Sequence, residues 1–370
     1  MKSPISVLVT PRDQNPYQEL LYEGVINAGV RVRYTGDQTS SQTLNILLAP
    51  AQLVWCRIRG FRILHVHWTF QFSLPWAPQS QWARQLMQWW FRLYLFIGIH
   101  IGYKIVWTAH DLLPHEQVLK DDRWVRDHLI AKSDAVVALS TASAIELRSL
   151  GAENVHVVPF GSYLDSYSST TLKDEARASF GFDPSEVVVI VVGRIEPYKG
   201  ADLLLSAAQR LPATSKIKVM VVGLCSDDAY RRELERLAQQ VEKGAMLHLE
   251  WVPDNELGRF LKASDFAAFP FREITNSSSV ILAESFGLPV LIPDLQMLRD
   301  VPVDTALRYT PETRFETDSL LAALDRAEHL SAAEYDEMSI AASTWARSND
   351  WSSAARHTTE MYKSILGQSS

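Results

Sequence analysis

The stretch "VVGRIEPYKGADLLLSAAQRL", Val191 to Leu211, spells a strand, a tight loop and a helix in that order. An unbroken apolar run ends at Gly193, the loop carries Arg194 and Lys199, and Gly200 opens a helical pattern. Apolar runs without polar alternation belong to strands buried on both faces, as in parallel sheets. Two cations beside a helix N-terminus suit a diphosphate: arginine forks onto its oxygens, lysine acts as a point charge, and the helix adds its dipole. The plainer reading is a pair of surface cations, with Lys199 paired to Asp202 or Glu196.

The same alternation extends in both directions. Apolar runs stand at "ISVLVT", "ILHVHW", "YKIVWTAH", "DAVVALS" and "NVHVVPF" in the first half. In the second they are "EVVVIVVG", "KIKVMVVG", "AMLHLEW", "DFAAFPF" and "LPVLIPD". Helical patterns such as "AYRRELERLAQQVEKG" lie between them, this one ending at a glycine suited to a helix C-terminus. With 370 residues and roughly 150 per domain, the chain reads as two βαβ domains in tandem. The expected division is 1–165 and 166–350, with the Ser/Thr-rich "GSYLDSYSSTTLKDEA" as linker and a helix at 351–367 crossing back to the first domain. Two such sheets facing across a cleft would place ligands at the carboxyl ends of their strands.

Composition narrows the function. Cys56 and Cys225 are the only cysteines, too few for a disulfide framework and too far apart for a CxxC site. With an N-terminus lacking the apolar core of a signal peptide, this leads us to expect a cytoplasmic protein. Between Asp37 and Asp111 there is no acidic residue, yet Arg57, Arg59, Arg62, Arg84, Arg92, Lys104 and seven of the eleven tryptophans fall there. Such a stretch suits contact with anionic lipid. The expected contact is segment 76–92, resting peripherally on the inner face of the cell membrane. The competing reading is a helix buried on the sheet, with Trp89 as core. Nucleic acid is not expected, because the basic stretch is apolar and the second half is acidic.

A second stretch, "FREITNSSSVILAESFGLPV" from Phe271 to Val290, complements the first. Ser277, Ser278 and Ser279 open a helix, as a simple N-cap or as donors to phosphate. Glu284 lies eight positions after Asn276. Together with "ALSTASAIELRSLGAENVHVVPFGSY" and "ASDFAAFPF", these segments resemble the GT-B glycosyltransferases of family 4, the glycosyl transferases group 1, over roughly residues 100–300. The resemblance implies two Rossmann-like domains, a nucleotide-sugar co-substrate in place of a cofactor, and no metal. Arg194 and Lys199 would neutralise the diphosphate leaving group, and Glu284 would accept the ribose hydroxyls. Where relatives carry the first acid of a Glu-x7-Glu pair, this chain has Asn276, which leaves retention or inversion open.

An inverting reaction needs a general base. The candidates are Asp111 and Glu116 in "VWTAHDLLPHE", whose His110 stands where relatives contact the donor sugar. His65 reads as a satisfied core residue, whereas Asn15, Tyr17 and His67 fall on the acceptor side. These strings resemble a bacterial exopolysaccharide branch that includes β-mannosyltransferases. The implied function is transfer of a hexose (mannose, glucose or glucuronate) from a UDP- or GDP-sugar to a polyprenyl-diphosphate-linked saccharide. The alternatives are a same-fold epimerase or phosphorylase, or a non-catalytic sugar-nucleotide sensor.

Overall fold

A computed structural model describes residues 4–13, 16–68, 77, 80–114, 117–164, 166–167, 171–242, 244–311 and 317–368. The chain divides into two compact units, Met1–Phe160 with Trp351–Ser370, and Gly161–Asp350.

In the first unit β1 (Ser6–Thr10), α1 (Pro16–Asn27), β2 (Arg31–Tyr34), α2 (Gln42–Ile58), β3 (Ile63–Val66) and α3 (Gln81–His100) follow one another. Then come β4 (Lys104–Ala109), α4 (Asp122–Lys132), β5 (Ala135–Ala138), α5 (Thr141–Ser149) and β6 (Val155–Val157). All strands are parallel, in the order β2-β1-β3-β4-β5-β6. The inner strands carry apolar side chains on both faces, so each face needs a helical cover. One cover is α2, α3, α4 and α5, which pack Leu53, Phe91, Leu129 and Leu147 against Leu64 and Trp107. The other is α1 with the last helix of the chain, whose Met361 and Tyr362 join Tyr22 and Val25 against Val7 and Val106. A Cβ added at Gly24 of α1 would stand 2.6 Å from the Ala355 Cβ, so glycine and alanine let these helices approach closely.

The second unit runs α6 (Lys173–Phe180), β7 (Val187–Val192), α7 (Ala201–Ala208), β8 (Ile217–Val222), α8 (Asp228–Ala238), β9 (Ala245–His248) and α9 (Asp254–Ala263). It continues with β10 (Phe266–Ala268), α10 (Ser278–Ser285), β11 (Val290–Pro293), β12 (Ala306–Tyr309), α11 (Asp318–His329) and α12 (Ala332–Ser348). The chain then returns to the first unit as α13 (Trp351–Ile365). The sheet order β12-β11-β10-β7-β8-β9 is the doubly wound Rossmann order, again all parallel. Its core gathers Val189, Val191, Val219, Val221, Phe266 and Leu291.

The ten apolar runs all become strands, and each sheet has a sixth strand that the apolar pattern passed over. These are β2 and β12, "RVRY" and "ALRY", both at sheet edges and both carrying arginines. An edge strand faces solvent on one side and needs no continuous apolar run. The expected helix ending at Gly244 stops at Ala238, because Val241 turns into the core and Gly244, with φ +77°, closes a turn onto the Val241 carbonyl. The end of the expected linker is also helical, since α6 begins at Lys173.

Candidate active site

A parallel sheet whose strand order reverses leaves a crevice at the carboxyl ends of the two strands flanking the reversal. In the second unit those strands are β7 and β10, whose following loops carry Arg194 with Lys199 and Asn276 with the serine run. In the first unit they are β1 and β3, followed by Asp13 and by His67.

The loop after β7 is held tightly. Gly193 has φ +110°, and a Cβ there would meet Lys199 Nζ and Ser279 Oγ, each at 2.9 Å. Gly200, at φ +70°, lies so close to the loop after β10 that a Cβ would stand 2.0 Å from the Pro270 carbonyl oxygen. Only glycine accepts both the left-handed backbone and the close approach. Lys199 is thereby drawn inward onto α10. Its side chain is buried and its Nζ donates to Ser279 Oγ at 3.3 Å. Burial lowers its pKa to about 8, with Glu196 pulling it up and Arg194 pushing it down. Arg194, by contrast, is exposed and pairs with Glu196 at 3.3 Å.

Ser277 caps α10 by accepting from Val280 N–H at 3.3 Å. The serine run is therefore closed at its third amide, and not left open there as a phosphate site would prefer. A helix leaves its first amides without intrahelical partners, and those of Ser278 and Ser279 make no hydrogen bond among the described residues. A buried ammonium, a hydroxyl and two helix-terminal amides thus converge at the β7–β10 switch point.

Glu284 lies near the other end of α10 and is fully buried. Its Oε1 accepts from Thr305 Oγ1 at 2.6 Å, and Oε2 has no hydrogen-bond partner among the described residues. Burial raises its pKa to about 8, against smaller opposing effects of the Thr305 hydroxyl and Arg308. The folded chain holds this proton up to about pH 8, whereas an unperturbed glutamate releases it near 4.5. The folded state then binds more protons across that window, so stability falls as pH rises through it and is unaffected below it. We expect Glu284→Gln to match the wild type at pH 4 and to exceed it at pH 9 by on the order of 1–3 kcal/mol. Parallel denaturation series across pH check this, and identical pH slopes would refute it.

In the first unit His110 follows β4, His67 follows β3 and Tyr17 lies in the first turn of α1; all three are buried and pack together. The Tyr17 ring stands edge-on to His110 at 4.8 Å and to His67 at 5.8 Å, and Trp68 stacks on His110 at 4.2 Å. Burial brings the His110 pKa to about 3 and drives that of His67 well below its usual range, so both rings are neutral at pH 7. His65, expected in the core, is buried and hydrogen-bonded at both nitrogens. Tyr17 and His67 thus stand behind His110 as packed neighbours. Asp111 follows His110 and is half-buried, while Asn15 and Glu116 lie outside the described residues.

The helix within the acid-free segment has two apolar faces. Met87, Phe91, Tyr94 and Leu95 of α3 are buried. Trp82, Leu86, Trp89, Leu93 and Phe96 form a second stripe, each more than half exposed. The core assignment of Trp89 is therefore wrong: Arg92 lies over its ring at 4.6 Å, on the outer face. On α2, Leu47, Val54, Trp55 and Ile58 are exposed too, with Arg33 and Arg59 over the Trp55 ring. Sequence reasoning missed α2 because its pattern alone does not say which apolar positions face the sheet. Among the described residues no helix is long and apolar enough to cross a membrane.

Comparison with known proteins fits this picture. Residues 173–345 match the family described as Glycosyl transferases group 1. The second unit is a glycosyl transferases group 1 domain. D-inositol 3-phosphate glycosyltransferase of Rhodococcus erythropolis is 29% identical over 255 residues, covering 64% of this chain and 53% of that one. The chain thus spans about half the length of the curated relatives it matches. Among solved structures, sucrose-phosphate synthase from Thermosynechococcus elongatus superposes with a TM-score of 0.75 at 17% identity, over 99% of this chain and 100% of its own. Anabaena HepE in complex with UDP-glucose gives 0.73 at 16%, over 97% and 100%. The fold is that of the GT-B glycosyltransferases. The resemblance read from the short motifs is borne out for this group 1 domain, whose match runs on to residue 345, well past Val290.

Proposed function

We propose that this protein is a metal-independent glycosyltransferase that moves a hexose from a UDP- or GDP-sugar to a lipid-linked saccharide at a membrane surface. The observation that carries this reading is the convergence of Lys199 Nζ, Ser279 and the first amides of α10 at the switch point of a group 1 domain. Negative charge grows on the diphosphate as the glycosidic bond breaks, and fixed donors already aimed there lower the barrier without reorganising. Such a set fits the leaving group without a divalent ion. Anabaena HepE, of the same fold, is known with UDP and with UDP-glucose, which favours a uridine donor.

His110, neutral and backed by Tyr17, Trp68 and His67, suits a contact with a sugar hydroxyl better than a charge-bearing role. Asp111 and Glu116 stay our candidates for the base, with Asn276 beside the sugar. For the acceptor side, the exposed stripe of α3 and its arginines support a peripheral seat on the cytoplasmic leaflet, where a polyprenyl diphosphate carrier and exopolysaccharide synthesis would be found. Thermal shift against UDP, GDP, ADP and their sugar derivatives tests the donor. We expect a rise in Tm selective for one nucleotide class, largest for UDP; no shift with any of them would end this reading.

A further inference from the structure

Behind His110 lies a buried polar chain that the reading above does not use. It links α1, β3, β4 and α13, and Tyr22, His65, Thr108 and Tyr362 are all buried within it. Tyr362 Oη lies 2.6 Å from His65 Nδ1, and His65 Nε2 lies 2.7 Å from Thr108 Oγ1. Tyr22 Oη lies 2.8 Å from the same His65 Nδ1 and 2.7 Å from His67 Nε2. His67 Nδ1 in turn lies 3.1 Å from His110 Nε2.

We infer that Tyr362 and Tyr22 fix His110 in the tautomer that carries its proton on Nδ1, with Nε2 accepting from His67. Burial leaves each imidazole neutral, so every ring has one N–H and one bare nitrogen. Both tyrosines hold their single proton for the same reason. A contact of 2.6 Å between Tyr362 Oη and His65 Nδ1 must have a proton between the atoms, since two bare lone pairs would repel at that distance. The 2.8 Å contact of Tyr22 Oη with the same nitrogen needs a proton by the same argument, and one N–H on His65 Nδ1 serves both tyrosines, so His65 Nδ1 does not take the proton of Tyr22.

The remaining short partner of Tyr22 is His67 Nε2, so Tyr22 donates there. The alternative acceptor, Tyr362 Oη, is 3.4 Å away. His67, accepting at Nε2, carries its own proton at Nδ1 and donates it to His110 Nε2. His110 then accepts at Nε2 and offers N–H from Nδ1. The bond at one ring nitrogen sets the state of the other, and here that rule passes through three rings from the last helix of the chain.

Tyr22, His67 and Tyr362 are positioning residues, acting on a substrate only through His110. The consequence for transfer rests on the proposed glycosyltransferase reading: His110 would donate to a sugar oxygen and could not serve as a base through Nδ1. The tautomer itself does not depend on that reading.

Long-range proton–nitrogen spectra of the full-length protein labelled with nitrogen-15 histidine, recorded without substrate, test the inference. The His110 signals are assigned by their loss in His110→Gln. We expect a single Nδ1–H species for His110 in the wild type, shifting to a mixture with the Nε2–H form in both Tyr362→Phe and Tyr22→Phe. A wild-type His110 protonated on Nε2 overturns the inference, as does an unchanged single tautomer in Tyr362→Phe. If Tyr22→Phe fails to fold, the wild-type spectrum and Tyr362→Phe still decide. Should the tautomer be as stated while no nucleotide sugar is bound or turned over, the glycosyltransferase reading fails and the relay stands.

Discussion

Replacing Lys199 with alanine should lower kcat/KM for the nucleotide sugar by about 10²–10³-fold, the usual cost of removing one fixed donor from a developing anion. Lys199 is the buried cation of the site, and its ammonium is held by Ser279 at 3.3 Å within a loop shaped by Gly193 and Gly200. Such a group is worth more than an exposed one, because the surroundings screen it less. The exposed Arg194, already paired with Glu196, should cost less when removed. Lys199→Arg should not rescue activity, since a planar guanidinium is larger than the space bounded by Gly193 and Ser279. Folding should survive Lys199→Ala, because burying an ammonium is itself costly.

A pH signature separates this from a packing effect. The ammonium titrates at about 8 in the free protein, so nucleoside diphosphate affinity should fall as pH rises above that value. The fall should be absent in Lys199→Ala. Steady-state kinetics and diphosphate titrations at several pH values provide the check. Turnover within threefold of the wild type would remove Lys199 from the role.

How much of this was legible in the sequence depended on how local each feature is. The eight inner strands were readable because burial on both faces leaves an unbroken apolar record, and the edge strands β6 and β9 because their partly buried residues stay mostly apolar. The edge strands β2 and β12 were not, because their arginines break that record. The loop from Gly193 to Gly200 could be read because its glycines and cations lie within eight residues. The relay behind His110 could not: Tyr22 and Tyr362 stand 340 positions apart and meet only when α13 packs on α1. Nothing in the spacing of either tyrosine marks it. Glu284 falls between these cases, since its position in the motif was visible while its burial against Thr305 was not.

The outer face of α3 carries the second large prediction. Changing Leu86, Trp89 and Leu93 together to serine should weaken binding to vesicles containing anionic lipid by about 10²–10³-fold, from roughly 1 kcal/mol or more of apolar burial lost per side chain. Each is more than half exposed, so the variant should fold with a Tm near that of the wild type. These apolar side chains sit among arginines in a segment with no acid from 38 to 110, which suits a negatively charged interface better than a neutral one. Each arginine near the surface adds roughly 1 kcal/mol, so wild-type binding should weaken as salt is raised, while the apolar share persists. Vesicle co-sedimentation with and without anionic lipid measures both. A second copy of the chain could cover the same stripe, and sedimentation velocity tells the cases apart: a dimer that the triple variant turns into monomer, with no vesicle binding by the wild type, would sink the lipid reading. If lipid is the partner, the stripe holds the first unit at the bilayer by a face of α3 distinct from the one packed on its sheet.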